Sequence, residues 1–167
     1  MKAIRFEGHF DYTSMKQILS DIDKVDKDEQ IILYLVSGGG GVSETEILAD
    51  YINREPERFE IVCVWEMSSA AFDLLIRADC KVTIKDGALA KIHLFTNDVS
   101  VRELGDTKSE ANYMVRDIKR CSDVMIKNFK KAGFTKTEIN RIQQGETIIC
   151  DAKRMRHMLK VCKGMWN

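Results

Sequence analysis

The 167-residue chain is short of the features that mark several large classes of protein. It has one proline, Pro56, and no run rich in glycine and serine that would serve as a linker, so its length and evenness predict a single domain over 1–167. It has no net charge: Lys and Arg total 26 and so do Asp and Glu, which leaves no overall field to draw in nucleic acid or an anionic membrane. The longest apolar runs, such as Ile31 to Val36, fall far below the roughly 20 residues that span a bilayer. The N-terminus carries charges where a signal peptide needs an apolar stretch. The five cysteines, Cys63, Cys80, Cys121, Cys150 and Cys162, include no pair at C-x-x-C spacing and no histidine cluster beside them. No metal site, cofactor or disulfide framework is expected, and the composition predicts a protein of a reducing compartment, the cytoplasm.

What is present is an alternation of periods. Residues 2–7, 30–36, 59–65 and 80–84 are apolar runs that read as strands, and between them apolar residues recur at helical spacing, as at Met15, Ile18, Leu19, Ile22 and Val25. Helices are expected near 43–54 and 67–78. Strand, helix, strand in this rhythm implies an α/β fold with a mostly parallel sheet flanked by helices. Ser43 with Glu46, and Thr135 with Glu138, have the spacing of capping boxes. A long helix over about 107–131 gathers Ala111, Met114, Val115, Ile118, Cys121, Met125, Ile126 and Phe129 on one face. Lys130, Lys131 and Gly133 supply its stop. Two further helices, near 135–143 and 151–162, flank a short segment at 147–149.

The most unusual segment is Ser37-Gly38-Gly39-Gly40-Gly41-Val42, between a strand and a helix. A tight turn needs one or two glycines; four, with their cost in backbone entropy, suggest close approach of amides to an anion or a carbonyl oxygen. No Lys-Ser or Lys-Thr follows, and G-x-G-x-x-G is absent, so a nucleotide-phosphate loop is excluded and an oxyanion site is the better fit. Its partner should come from the carboxyl end of a neighbouring strand. The next strand delivers Met67-Ser68-Ser69-Ala70-Ala71, where a serine serves either as a helix cap or as a nucleophile. The G-x-S-x-G elbow is missing. Of three histidines, His9 and His157 read as surface residues. His93 stands in Ala90-Lys91-Ile92-His93-Leu94-Phe95, as a core residue or as a general base.

Three segments together resemble the proteolytic subunits of Clp proteases. Tyr34 to Val42 resembles their Tyr-Ile-Asn-Ser-Pro-Gly-Gly-Ser-Val segment, Ser68-Ser69-Ala70-Ala71-Phe72 their Ser-Met-Gly-Ala-Phe nucleophile segment, and Lys91-Ile92-His93 their Met-Ile-His base segment. The likeness in order and spacing runs from residue 2 to about 162. The resemblance implies a crotonase-like spiral of ββα units and a serine endopeptidase acting on peptides or unfolded proteins. Ser68 is then the nucleophile, His93 the base, and the amides of Gly40 and Ser69 the oxyanion hole. The family's third member, an aspartate, falls on Gln144, with Glu146 two residues on as the substitute; in a chymotrypsin-type triad, replacing Asp by Asn costs about 10⁴ in rate. The resemblance further implies a homo-oligomer, such as a ring, built with the long helix near 107–131. The chain begins at the first core strand, without the leading helix and axial loop of the family, so an unfoldase ATPase partner is not implied. Two other activities share the pattern: a catalytically silent assembly or binding subunit, and acyl-CoA chemistry of the crotonase type, for whose usual cofactor pocket the chain is short.

Overall fold

The computed structural model of the protein describes residues 1–94 and 108–163. Phe95, at the end of the histidine-bearing run, and the side chains of Ala111 and Met114 on the long helix lie outside the described residues.

The expected alternation is what forms. Strand β1 (Lys2–Glu7), helix α1 (Tyr12–Asp23), β2 (Ile31–Ser37), α2 (Val42–Ile52), β3 (Phe59–Met67), α3 (Ala70–Arg77) and β4 (Lys81–Ile84) follow one another, with a 3₁₀ turn at Pro56–Arg58. Then come β5 (Leu89–Ile92), α4 (Lys108–Lys131), α5 (Lys136–Gln143), β6 (Ile148–Asp151) and α6 (Ala152–Lys163). The sheet runs β1-β2-β3-β5-β6, with β4 also paired to β3. All pairings are parallel except β5 with β6. The protein is therefore of α/β class, with a mostly parallel mixed sheet flanked by helices.

Alternation along β2 shows how the sheet is seated. Ile31, Leu33 and Leu35 are fully buried, while Ile32, Tyr34 and Val36 are half-covered, the period-2 pattern of a strand with one face in the core. The core continues through Leu48 and Ile52 of α2, Phe72 and Leu74 of α3, and Cys121, Met125 and Phe129 of α4. Those last three are the C-terminal half of the apolar face expected on α4. Toward its N-terminus Val115 is exposed and Ile118 half-exposed.

Two boundaries differ from expectation, each for a physical reason. Strand β3 runs on to Met67 because Glu66 pairs with Leu89 and Met67 with Ser37, so α3 cannot start before Ala70. The Ser43–Glu46 capping box does not form. Gly41 is the residue before α2 and makes no side-chain cap, and the Glu46 carboxylate instead takes the Arg77 guanidinium at 2.7 Å. The Thr135–Glu138 box forms in full, each side chain accepting the other residue's backbone N–H.

Strand β3 is long enough to hold two strands along one edge. Its Glu60–Cys63 stretch pairs with β4 and its Glu66 with β5, the chain stepping sideways at 85–88 between them. That step carries β5 toward the carboxyl ends of β2 and β3, where the sheet's loops converge. Among the described residues no helix is long and apolar enough to cross a membrane.

Candidate functional site

Parallel strands β1, β2 and β3 end side by side, so the segments after them are neighbours. Those segments are Glu7 to Phe10, Ser37 to Gly41 and Met67 to Ser69. Residues from each of them, Glu7, Gly8, His9, Ser37, Gly38 and Ser68, line an open cleft of about 470 Å³ with Val36, Glu66, Lys91 and His93; Gly40, Ser69 and Ala70 do not line it. Ser68 and His93 thus share one cleft.

The glycine loop is tied down from both sides. On one, Phe10 N–H donates to the Gly39 carbonyl at 2.9 Å and the Phe10 carbonyl accepts Gly41 N–H at 2.7 Å. On the other, Ser68 N–H donates to the Ser37 carbonyl at 2.9 Å. Gly39 and Gly40 have φ of +118° and +138°, a region side chains rarely adopt. A Cβ on Gly39 would lie 2.8 Å from Ser69 Cβ, and one on Gly40 would lie 2.6 Å from Phe10 N. At these two positions the glycines are explained by contact with the chain itself. The close approach seen here is to Phe10 and Ser69 of the chain itself.

Ser68 is buried at 1% exposure and its hydroxyl is occupied: Oγ donates to Glu66 Oε1 at 2.7 Å and accepts Lys91 N–H at 2.8 Å. Glu66 in turn lies 3.3 Å from the Lys91 ammonium. The Ser68 hydrogen bond, with help from Lys91, holds the Glu66 carboxyl below its ordinary range against the opposing effect of burial. The sign is that of a depressed acid: this contribution to stability is present above the unfolded-state value and is lost as pH falls through the folded one.

Ser69 differs in every respect. It is the only non-glycine residue with positive φ among the described residues, at φ +53° and ψ −128°, and it sits between β3 and α3. It is half-buried, and its Oγ makes no hydrogen bond among the described residues. Its amide, expected to serve the oxyanion, is already committed to the Lys91 carbonyl at 2.9 Å, which corrects that assignment. Gly40 N–H and Ala70 N–H donate to no group among the described residues. The first leaves the glycine loop, and the second begins α3.

His93 Nδ1 lies 2.8 Å from the Leu94 carbonyl. A carbonyl only accepts, so Nδ1 carries the proton in this contact and Nε2 is the open lone pair. Neither Gln144 nor Glu146, read as third members, makes a hydrogen bond or ion pair to His93 among the described residues. Both are exposed; Gln144 ends α5 with its backbone N–H on Asn140 and Arg141 carbonyls, and the Glu146 carboxylate takes Arg141 at 2.7 Å. The α5–β6 turn engages the Gln144 backbone and the Glu146 carboxylate locally, and the contact to His93 Nδ1 comes from Leu94.

Sequence reasoning missed Glu66 and His9 as cleft residues. The position of His9 just past the carboxyl end of a parallel strand was the available signal. The thiols offer no rival nucleophile there: burial pushes Cys63 up to about 12 and Cys80 and Cys150 to about 11. No protein-family model matches the chain, and no curated protein matches it in sequence.

Proposed function

We propose that this chain is a serine peptidase of the Clp type, a crotonase-like spiral that hydrolyses peptide bonds in peptides or unfolded proteins. The hydroxyl comes from the Ser68–Ser69 turn and the general base is His93. The observation that carries this reading is that Ser68 and His93 line one cleft, supported by the Gly40 and Ala70 amides, which donate to no group among the described residues and are available as oxyanion donors. No metal or cofactor is needed for such chemistry.

The protein is further proposed to act in the cytoplasm, where its five cysteines stay reduced, and to assemble as a homo-oligomer. In support of assembly, α4 leaves Tyr113 77% and Val115 59% exposed on the element the family uses for contact between subunits. No ATPase partner is invoked.

One observation favours the second reading, a silent assembly or binding subunit. His93 is held by a neutral carbonyl, which orients the ring but supplies no charge to an imidazolium. Incubation with an unfolded protein and a fluorogenic peptide library separates the two. Cleavage that is lost in His93→Ala supports the peptidase, and the absence of cleavage by the assembled wild type supports the silent subunit.

A further inference from the structure

We infer that Ser69, rather than Ser68, is the residue acylated in this site, with Ser68 and Glu66 acting as the brace that positions it; the inference rests on the serine-peptidase reading above. Three independent observations separate the adjacent serines.

The first is hydrogen bonding. The Ser68 proton is committed to Glu66 Oε1 at 2.7 Å, and its oxygen already receives Lys91 N–H at 2.8 Å. An attack by this oxygen would leave a part-buried amide without its acceptor and break a charge-assisted bond. Glu66 is a weak base, because its carboxylate is shared with the Lys91 ammonium at 3.3 Å and held below its ordinary range. The Ser69 hydroxyl has no such commitment among the described residues and is half-buried, next in sequence to the Ser68 that lines the cleft.

The second is backbone geometry. Ser69 adopts φ +53° and ψ −128°, a strained conformation for any residue with a Cβ, and does so at a sharp strand-to-helix turn. Strain of this kind persists where the surroundings enforce it, and a nucleophile elbow uses it to present an exposed Oγ. Gly39 completes the turn, since a Cβ there would collide with Ser69 Cβ at 2.8 Å.

The third is the oxyanion donor. In such an elbow one donor is the amide of the residue after the nucleophile. After Ser68 that amide is Ser69 N–H, which is spent on the Lys91 carbonyl at 2.9 Å. After Ser69 it is Ala70 N–H, which donates to no group among the described residues and lies at the positive end of α3. The bond from Ser69 N–H to Lys91 also fixes the segment bearing the base, because His93 follows Lys91 by two residues, roughly 7 Å of extended chain.

The step balances with water as the only co-reactant. Ser69 Oγ forms a bond to the carbonyl carbon as its proton passes to His93 Nε2. The C–N bond then breaks, the amine leaves with that proton, and water hydrolyses the ester to release the acid and restore the serine.

The experiment is to treat the full chain with an alkyl fluorophosphonate and map the adduct by tandem mass spectrometry. Trypsin releases Phe59 to Arg77 as one peptide, within which fragment ions separate Ser68 from Ser69. The expected result is a phosphonyl group on Ser69 in the wild type, slower labelling that stays on Ser69 in Ser68→Ala, and none in Ser69→Gly, a residue that accepts the turn's φ. An adduct on Ser68 overturns this assignment and leaves the serine-peptidase reading standing. No adduct on either serine of the wild type overturns both.

Discussion

Gly40→Ala is expected to lower folding stability by roughly 2–5 kcal/mol and to abolish fluorophosphonate labelling, whereas Gly38→Ala is expected to change stability by less than about 1 kcal/mol. The two positions lie two residues apart in the same loop but differ in their surroundings. A Cβ on Gly40 would meet Phe10 N at 2.6 Å and Phe10 C at 2.8 Å, both backbone atoms that no rotamer can move, at a φ of +138°. The chain must then break the Phe10–Gly40 bridge that seats the loop on β1, and the Gly40 amide turns with it. A Cβ on Gly38 would meet only His9 Cε1, at 3.6 Å, an ordinary contact with an exposed side chain. Urea melts of the two variants decide the matter. Equal, small losses would mean that the loop is not held by Phe10, and the oxyanion donor would lose its structural support.

Arg77→Met is expected to destabilise the fold by roughly 3–5 kcal/mol at neutral pH, and by less in acid. Asp73 has no exposed surface; its carboxylate takes Arg77 Nε at 2.7 Å and Asn128 Nδ2 at 2.8 Å. The same guanidinium takes Glu46 at 2.7 Å, so one side chain joins α2 to α3, and Asn128 joins α3 to α4. Burial raises the Asp73 carboxyl above its ordinary value, against the pull of Asn128 and Arg77. Removing Arg77 takes away that opposing charge and pushes it higher. The folded state then holds a proton over a pH window in which the unfolded chain has released it. By linkage, stability in that window falls as pH rises, and the deficit of the variant grows from the acid side toward neutrality. Denaturation at pH 5 and pH 7 reads this directly. A loss below about 1 kcal/mol at both values would show that the pair is not what locks α3 in place. The lock matters to the site because Asp73 lies four residues beyond Ser69 on the helix whose first amide is Ala70.

The fold class was legible in the sequence because strand and helix periods alternate cleanly through Ala78, and the Thr135–Glu138 box marked α5 correctly. Three things were hidden. Strand β5 is four residues long with Lys91 in its middle, so its identity comes from pairing with Glu66 and with β6 rather than from pattern. Glu46 had two uses open to it, and the choice of Arg77 over a helix cap depends on α3 lying alongside. Gln144 and Glu146 were readable as residues, but not the turn that holds the Gln144 backbone and pairs the Glu146 carboxylate with Arg141. At the site, sequence placed a serine turn, a glycine loop and a histidine in one cleft. The resemblance put the nucleophile on Ser68, but nothing in Ser-Ser-Ala-Ala reports which residue takes a positive φ or which hydroxyl finds a carboxylate.

Acylation of Ser69, as proposed above, requires this turn to hold a tetrahedral intermediate between the Gly40 and Ala70 amides. A crystal structure of the protein with a peptide boronate tests it most directly, because boron becomes tetrahedral on bonding a serine oxygen and its own oxygen marks the oxyanion site. The account predicts boron bonded to Ser69 Oγ, one boronate oxygen within about 3 Å of Gly40 N and Ala70 N, and His93 Nε2 turned toward the adduct. Boron on Ser68, with Glu66 displaced, or a cleft that binds no boronate at saturating concentration, would contradict it.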